Sequence, residues 1–176
     1  MEDQLTLRPF GEVDLPFLDR LCTDPDAVGP YVWSGFSDPR GRRRRWETDG
    51  YLGAESSAVA VVLGAHNVVG IASWEARARG GPHGGCYEIG MALLPEHRAH
   101  GVGTAGQRLL VRHLFTHPPA QRLEAQTDAA NIAAQTALER AGFRREGLLR
   151  RARFRDGAWR DMVVYGILRE EAAGPV

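Results

Sequence analysis

The segment RAHGVGTAGQRLLVRHLF, Arg98 to Phe115, constrains this chain more than any other. A strand-like run, CYEIGMALLP, ends at Pro95 and delivers the backbone into Arg98, Gly101 and Gly103, in R-x-x-G-x-G spacing. An apolar-periodic run from about Val102 to Phe115 follows at once, so strand, glycine turn and helix are contiguous. Glycine lets such a turn take positive φ or approach a ligand closely. The first-turn amides of a helix have no partner inside it, and its dipole favours negative charge there. A phosphate is the ligand this arrangement suits, although a plain strand-to-helix turn has the same spacing. The competing Rossmann fingerprint opens a chain's first βαβ unit and has an acidic residue about 20 positions on; this loop sits elsewhere.

The chain has 176 residues, enough for one domain with a substantial core, and a single domain over 1–176 is expected. Its 22 basic and 22 acidic residues cancel, so total charge gives no reason to expect DNA or a membrane as partner. Every basic residue is arginine, and with no lysine neither a P-loop nor a Schiff-base enzyme is possible. Cys22 and Cys86 stand far apart without a CxxC pattern, so no disulfide framework and no metal site are expected. The opening MEDQLTLRPF lacks a signal-peptide pattern, and no apolar run approaches the ~18 residues of a membrane span. A cytoplasmic protein is the expectation.

Pattern alone predicts seven strands and four helices. LTLRPF reads as a first strand, GEVDLPFLDRLC as a helix, and GRRRRWETDGYLG as a short charged helix. SSAVAVVLG and VVGIASWEA flank the tight turn AHN as a hairpin, and CYEIGMALLP leads into the helix from Val102 to Phe115. RLEAQTD is the next strand, and NIAAQTALERAGF a helix with Asn131 as N-cap and Gly142 as its stop. Two long β-like runs flank Asp156-Gly157, the pair a type I′ turn favours. The class is therefore mixed α+β.

The R-x-x-G-x-G loop and the later block carrying Asn131, Ala134, Gly142 and Phe143 resemble the GNAT superfamily of acetyl-CoA-dependent N-acetyltransferases. LTLRPF, YEIGMALLP and the closing RDGAWRDMVVYGILREE look most like its RimJ/RimL branch. The resemblance implies a central, mostly antiparallel sheet of about seven strands flanked by about four helices. It also implies acetyl-CoA as co-substrate and an amine acceptor, with a homodimer left open. By that resemblance the amides of Ala99, His100, Gly101, Val102, Gly103 and Thr104, with the charge of Arg98, would hold the pyrophosphate of coenzyme A. The strand edge at Met91, Leu93 and Leu94 would pair with the pantetheine arm, and Asn131 would bond that arm near the thioester or act only as a cap.

Attack of an amine on a thioester needs a proton acceptor, an oxyanion donor and, where one exists, an acid for the thiolate. Glu88 is the first candidate base, with Glu75, His83 and Asp161 behind it, and a backbone N–H near Leu93 is the oxyanion donor. Many relatives place a tyrosine as the acid where this chain has Leu138, and the RimJ/RimL branch often has serine where it has Ala134. Tyr165, water, or an unassisted thiolate would have to serve. A coenzyme A-binding regulator without turnover therefore stays open, as does a phosphate-binding protein unrelated to coenzyme A.

The acceptor is least legible. Tyr31, Trp33 and Trp46 cluster with Phe36 and Tyr51 and would wall a substrate pocket with Glu88, or pack as core. The run RGRRRRW would select an acidic or phosphorylated acceptor, or form a solvated face with Arg43 near Glu47 and Arg45 near Asp49. The expected acceptor is a protein or peptide N-terminal amine, or a small-molecule amine.

Overall fold

The computed structural model describes residues 5–78 and 85–172. Its seven strands are β1 (Leu5–Arg8), β2 (Ser56–Leu63), β3 (Asn67–Ala76), β4 (Cys86–Leu93), β5 (Arg122–Asp128), β6 (Arg144–Arg155) and β7 (Ala158–Leu168). They form one sheet in the order β1-β2-β3-β4-β5-β7-β6, antiparallel throughout except for the parallel β4–β5 pair. This is the mixed sheet that the pattern predicts, mostly antiparallel as the resemblance implies.

The longer helices are α1 (Leu15–Thr23), α3 (Pro39–Asp49), α4 (Val102–Thr116) and α5 (Ile132–Arg140), and they match the expected four. Two single-turn helices, α2 (Pro25–Val28) and α6 (Arg169–Ala172), were not legible in the sequence. The first expected helix is also split, with a 3-10 turn over Glu12–Asp14 ahead of α1. The cause is Asp14. Its carboxylate accepts the Gly11 N–H at 2.8 Å and pairs with Arg8, so the chain turns there before the α-helical ladder begins. The Arg8 guanidinium holds the Asp14 carboxyl below the usual carboxylate range.

Helices cover both faces of the sheet. On one face α4 buries Val102, Leu110, Val111 and Leu114 against Val61, Val69 and Ile89. Each such side chain contributes roughly 1.5–3 kcal/mol when fully removed from water. On the other face Leu15, Leu18 and Leu21 of α1 pack with Ala58, Ala60 and Val62 of β2. Strand β2, SSAVAVVL, is thus buried on both sides and shows no polar alternation. In the β6–β7 hairpin Asp156 and Gly157 take φ of 48° and 71°, the left-handed pair a type I′ turn requires.

Candidate functional site

The register of β4 creates the main cleft. Cys86–Ile89 pair with Arg122–Ala125 of β5, but β4 runs on to Leu93 and β5 to Asp128 without further pairing between them. The strands diverge, and each keeps its other neighbour, β3 or β7. Bonds from Arg77 N–H to the Cys86 carbonyl and from Leu94 N–H to the Val69 carbonyl, both 2.9 Å, fix the parity of the β3–β4 ladder. Backbone groups of Glu88, Gly90, Ala92 and Leu94 therefore point to β3, whereas those of Met91 and Leu93 point into the gap. An extended polyamide chain could add to that edge as a strand does.

The gap opens onto a cavity of about 620 Å³. Met91, Gln107, Ala134, Leu138 and Asn131 line it, as do Glu88, Gly90, Ser73 and Ala58, so it spans both faces of the sheet. Gln107 is buried, and its Oε1 has no hydrogen-bond partner among the described residues. An orphaned acceptor costs on the order of 1–3 kcal/mol, which an N–H on a bound ligand would recover.

Beyond β4 the chain enters the glycine loop. Ala99 and Gly101 take φ of 63° and 78°, and this alternation of handedness turns successive amides toward a common side. The first bond of the α4 ladder runs from Ala105 N–H to the Gly101 carbonyl at 3.1 Å, so the amides of Val102, Gly103 and Thr104 have no carbonyl within the helix. A second cavity of about 310 Å³ adjoins this turn, lined by His100, Gly101, Val102, Thr104, Arg108 and Arg140. The result is an anion cradle at the mouth of a strand-edge groove.

Over residues 4–144 the chain matches the family model for the acetyltransferase (GNAT) domain. This chain belongs to the GNAT acetyltransferase family. It is 25% identical over 175 residues to an uncharacterised N-acetyltransferase, p20, of Bacillus licheniformis, covering 98% of this chain and 97% of that one. It is 34% identical over 83 residues to YjcK of Bacillus subtilis, described as a probable N-acetyltransferase, covering 47% of this chain and 46% of the relative. Over that second match the chain spans about half of the relative. Among solved structures, a spermidine N-acetyltransferase from Vibrio cholerae in complex with CoA and spermine superposes with TM-score 0.85 at 20% identity, covering 97% of this chain and 98% of the other. RimL, a ribosomal alpha-N-protein acetyltransferase in complex with coenzyme A, gives TM-score 0.80 at 17% identity, covering 94% of each.

Against the GNAT expectations, the structure brings Glu88, Met91, Asn131, Ala134 and Leu138 to one cleft, whereas His100, Gly101, Val102 and Thr104 line the second cavity. Glu88 Oε2 accepts from Arg77 Nη2 at 2.7 Å and Nε at 3.0 Å, and from Gln126 at 3.4 Å. Oε1 is the oxygen left to face a ligand. Asn131 does cap α5, its Oδ1 accepting the Ala134 N–H at 3.1 Å, and that assignment leaves Nδ2 as its free donor. His100 Nδ1 lies 3.1 Å from the Arg98 carbonyl, and the ring is exposed beside the loop. Gly103 sits close to Leu93 and Ala137, where α4, α5 and β4 converge.

Five expected residues sit elsewhere. Arg98 donates to the carbonyls of Leu93, Asp26 and Ala27 at 2.8–2.9 Å, so its guanidinium ties the loop and α2 to β4 instead of charging the cradle. Leu94 gives its amide to Val69 and its side chain to the core under α1. Trp46 donates to the Phe10 carbonyl at 3.0 Å and packs in that same core. Trp33 stacks edge-on against the exposed Phe36 and does not line the cleft. Tyr165 is fully buried and donates to Glu139 at 3.0 Å; burial, reinforced by that carboxylate, pushes its pKa up to about 12. A hydroxyl so placed is a poor acid for a leaving thiolate and is also absent from the cavity wall.

Tyr31 does line the cavity, and its hydroxyl reaches across to the Ala130 carbonyl at 3.1 Å, strapping the loop after α2 to the β5–α5 corner. Beneath it Arg155 is buried against Asp128 at 2.7 Å, with its guanidinium over the Tyr31 ring. Of the weaker base candidates, Glu75 is held by Arg77 at the cavity rim, Asp161 accepts the Arg151 N–H, and His83 lies outside the described residues. Sequence reasoning missed Gln107, Arg108 and Arg140. The first reads as one more polar residue on an amphipathic helix, and the others acquire meaning only beside the cradle.

Proposed function

We propose that this protein is an acetyl-CoA-dependent N-acetyltransferase, acting as a single domain and transferring acetyl directly to a primary amine in a ternary complex. The observation that carries this reading is the divergence of β4 from β5 into a groove that ends on the amides from Ala99 to Thr104. The co-substrate supplies an activated acetyl thioester, and the chain does the rest. The loop amides hold the pyrophosphate, with Arg108 and Arg140 positioned beside the nucleotide end. The Met91 carbonyl and the Leu93 N–H pair with the pantetheine arm, Gln107 Oε1 accepts one of its amide protons, and Asn131 Nδ2 donates near the thioester. Glu88 Oε1 receives the amine proton, and the Met91 N–H, two residues before Leu93 and also turned into the gap, meets the carbonyl oxygen as its charge develops. Tyr165 stays out of the reaction. A thiol with an ordinary pKa of about 8.5 leaves as the thiolate without an acid.

The RimJ/RimL branch supports a protein or peptide N-terminal amine as acceptor, and a small-molecule amine is the other class. The spermidine enzyme and RimL share this fold, so fold alone does not choose between them. A cytoplasmic setting accords with the buried Cys22 thiol, which forms no disulfide. Leu138, apolar where many relatives have a tyrosine, favours one second reading, a coenzyme A-binding regulator without turnover. The deciding experiment follows labelled acetyl from acetyl-CoA into protein and small-molecule fractions of a cell extract, with calorimetry of acetyl-CoA and ATP alongside. Label in either fraction supports the enzyme and names the acceptor class. Acetyl-CoA binding with no label supports the regulator, and equal affinity for ATP overturns both.

A further inference from the structure

The sheet face opposite α4 is hollowed beneath α3. Its floor is made of small residues: Ser56 and Ala58 of β2, Ser73 of β3 and Gly90 of β4, which adjacent registers place side by side. A Cβ on Gly90 would sit 2.9 Å from Ser73 Oγ, so the depression depends on that glycine. Glu75 and Glu88, paired across β3 and β4, line this chamber together with Arg42 and Arg45 of α3.

The sequence RGRRRRW thus divides. Arg40, Arg43 and Arg44 are exposed, whereas Arg42 and Arg45, three residues apart on one helix face, turn inward. Both are pinned. Arg42 Nε donates to the buried Cys22 Sγ at 2.9 Å; Arg45 Nη2 donates to the Ser56 carbonyl and Oγ at 2.9 and 3.0 Å, with its guanidinium over the Tyr51 ring. Among the described residues no carboxylate forms an ion pair with Arg42, and the Arg45–Asp49 pair is stretched to 3.9 Å. Elsewhere the half-buried guanidiniums of Arg8 and Arg77 and the buried one of Arg155 each hold a carboxylate at 2.5–2.7 Å, and Arg98, which holds none, is satisfied by three backbone carbonyls. A guanidinium taken partly out of water and fixed in place without a counter-charge is costly unless a ligand supplies one.

We propose that the acceptor amine belongs to a molecule that also carries a carboxylate or phosphate, held by Arg42 and Arg45 while the amine lies toward Glu88. The proposal rests on the acetyltransferase reading and narrows its substrate class to amines of mixed charge. A purely cationic polyamine would leave both arginines unanswered and meet their repulsion.

The test uses a molecular ruler. Coenzyme A release is measured with ω-amino acids of two to six carbons, the matching aminoalkylphosphonates, the matching amino carboxamides, and spermidine. Acetyl-CoA affinity is measured by calorimetry in parallel. At the best length an anionic amine is expected to exceed its carboxamide in kcat/KM by about 10- to 100-fold, carried by KM, as for loss of a charge-assisted hydrogen bond. The leading series, carboxylate or phosphonate, names the group. In R42Q that ratio falls toward one, and R42K restores part of it. A merely structural Arg42 would lower both members of a pair alike and leave the ratio standing. Equal rates within every pair, or preference for spermidine, with acetyl-CoA still bound, overturn this inference alone. Failure to bind acetyl-CoA overturns the acetyltransferase reading and this inference with it.

Discussion

The two halves of the cleft are built in opposite ways. The anion cradle comes from one stretch of chain, Arg98 to Thr104, whose geometry follows from two left-handed residues and a helix start. The chamber under α3 draws on α1, α3, β2, β3, β4 and β5, and no two of its opposing walls are near in sequence. A cradle made of backbone amides tolerates changes of side chain so long as the turn survives. A chamber made of side chains can change specificity by single substitutions without touching the cradle.

That contrast can be broken experimentally. The largest effect is expected for Gly101→Glu, which puts a carboxylate in the cradle at a position where φ is already 78°. Like-charge juxtaposition should weaken acetyl-CoA binding on the order of 100-fold or more. Unchanged calorimetric affinity would remove the loop from phosphate binding. Next comes Glu88→Gln, on the chamber side, which should lower kcat about 100-fold while leaving acetyl-CoA affinity intact. If affinity fell instead, the division between the halves would be wrong. Gln107→Leu, where the halves meet, removes the orphaned acceptor and should raise the acetyl-CoA Kd by up to about tenfold. The same change should raise Tm, since an unsatisfied buried polar atom is lost from the free protein; a fall in Tm would mean that Oε1 already has a partner. The smallest effect is expected for Tyr165→Phe. It should cost about 1 kcal/mol of stability through the lost bond to Glu139 and leave kcat within about twofold across pH. A large kcat loss would restore Tyr165 as the acid.

Much of the fold was legible because its cues are local. The strand RLEAQTD appears with the expected bounds, and the helices at Val102 and Asn131 begin within a residue of theirs. Single-turn α2 and α6 carry too few residues to show a period, and the 3-10 turn before α1 depends on the Arg8–Asp14 pair. Within the site, the glycine loop, Glu88 and the strand edge were foreseeable. Placing Leu94 required the ladder's parity, a property of two strands together. Trp46 and Tyr165 look like functional residues in one dimension because an indole or phenol suits a pocket and a core equally well.

The sequence by itself determined the order of elements, the glycine turn with its unpaired amides, and the absence of any lysine chemistry. Those follow from backbone conformational preference and from residue type, which neighbours in the chain settle among themselves. Tertiary structure alone decided which oxygen of Glu88 Arg77 occupies, which way Arg98 turns, and that two of the clustered arginines face inward. Each of those outcomes depends on hydrogen-bond partners that arrive from distant segments, and burial then makes their pairing obligatory.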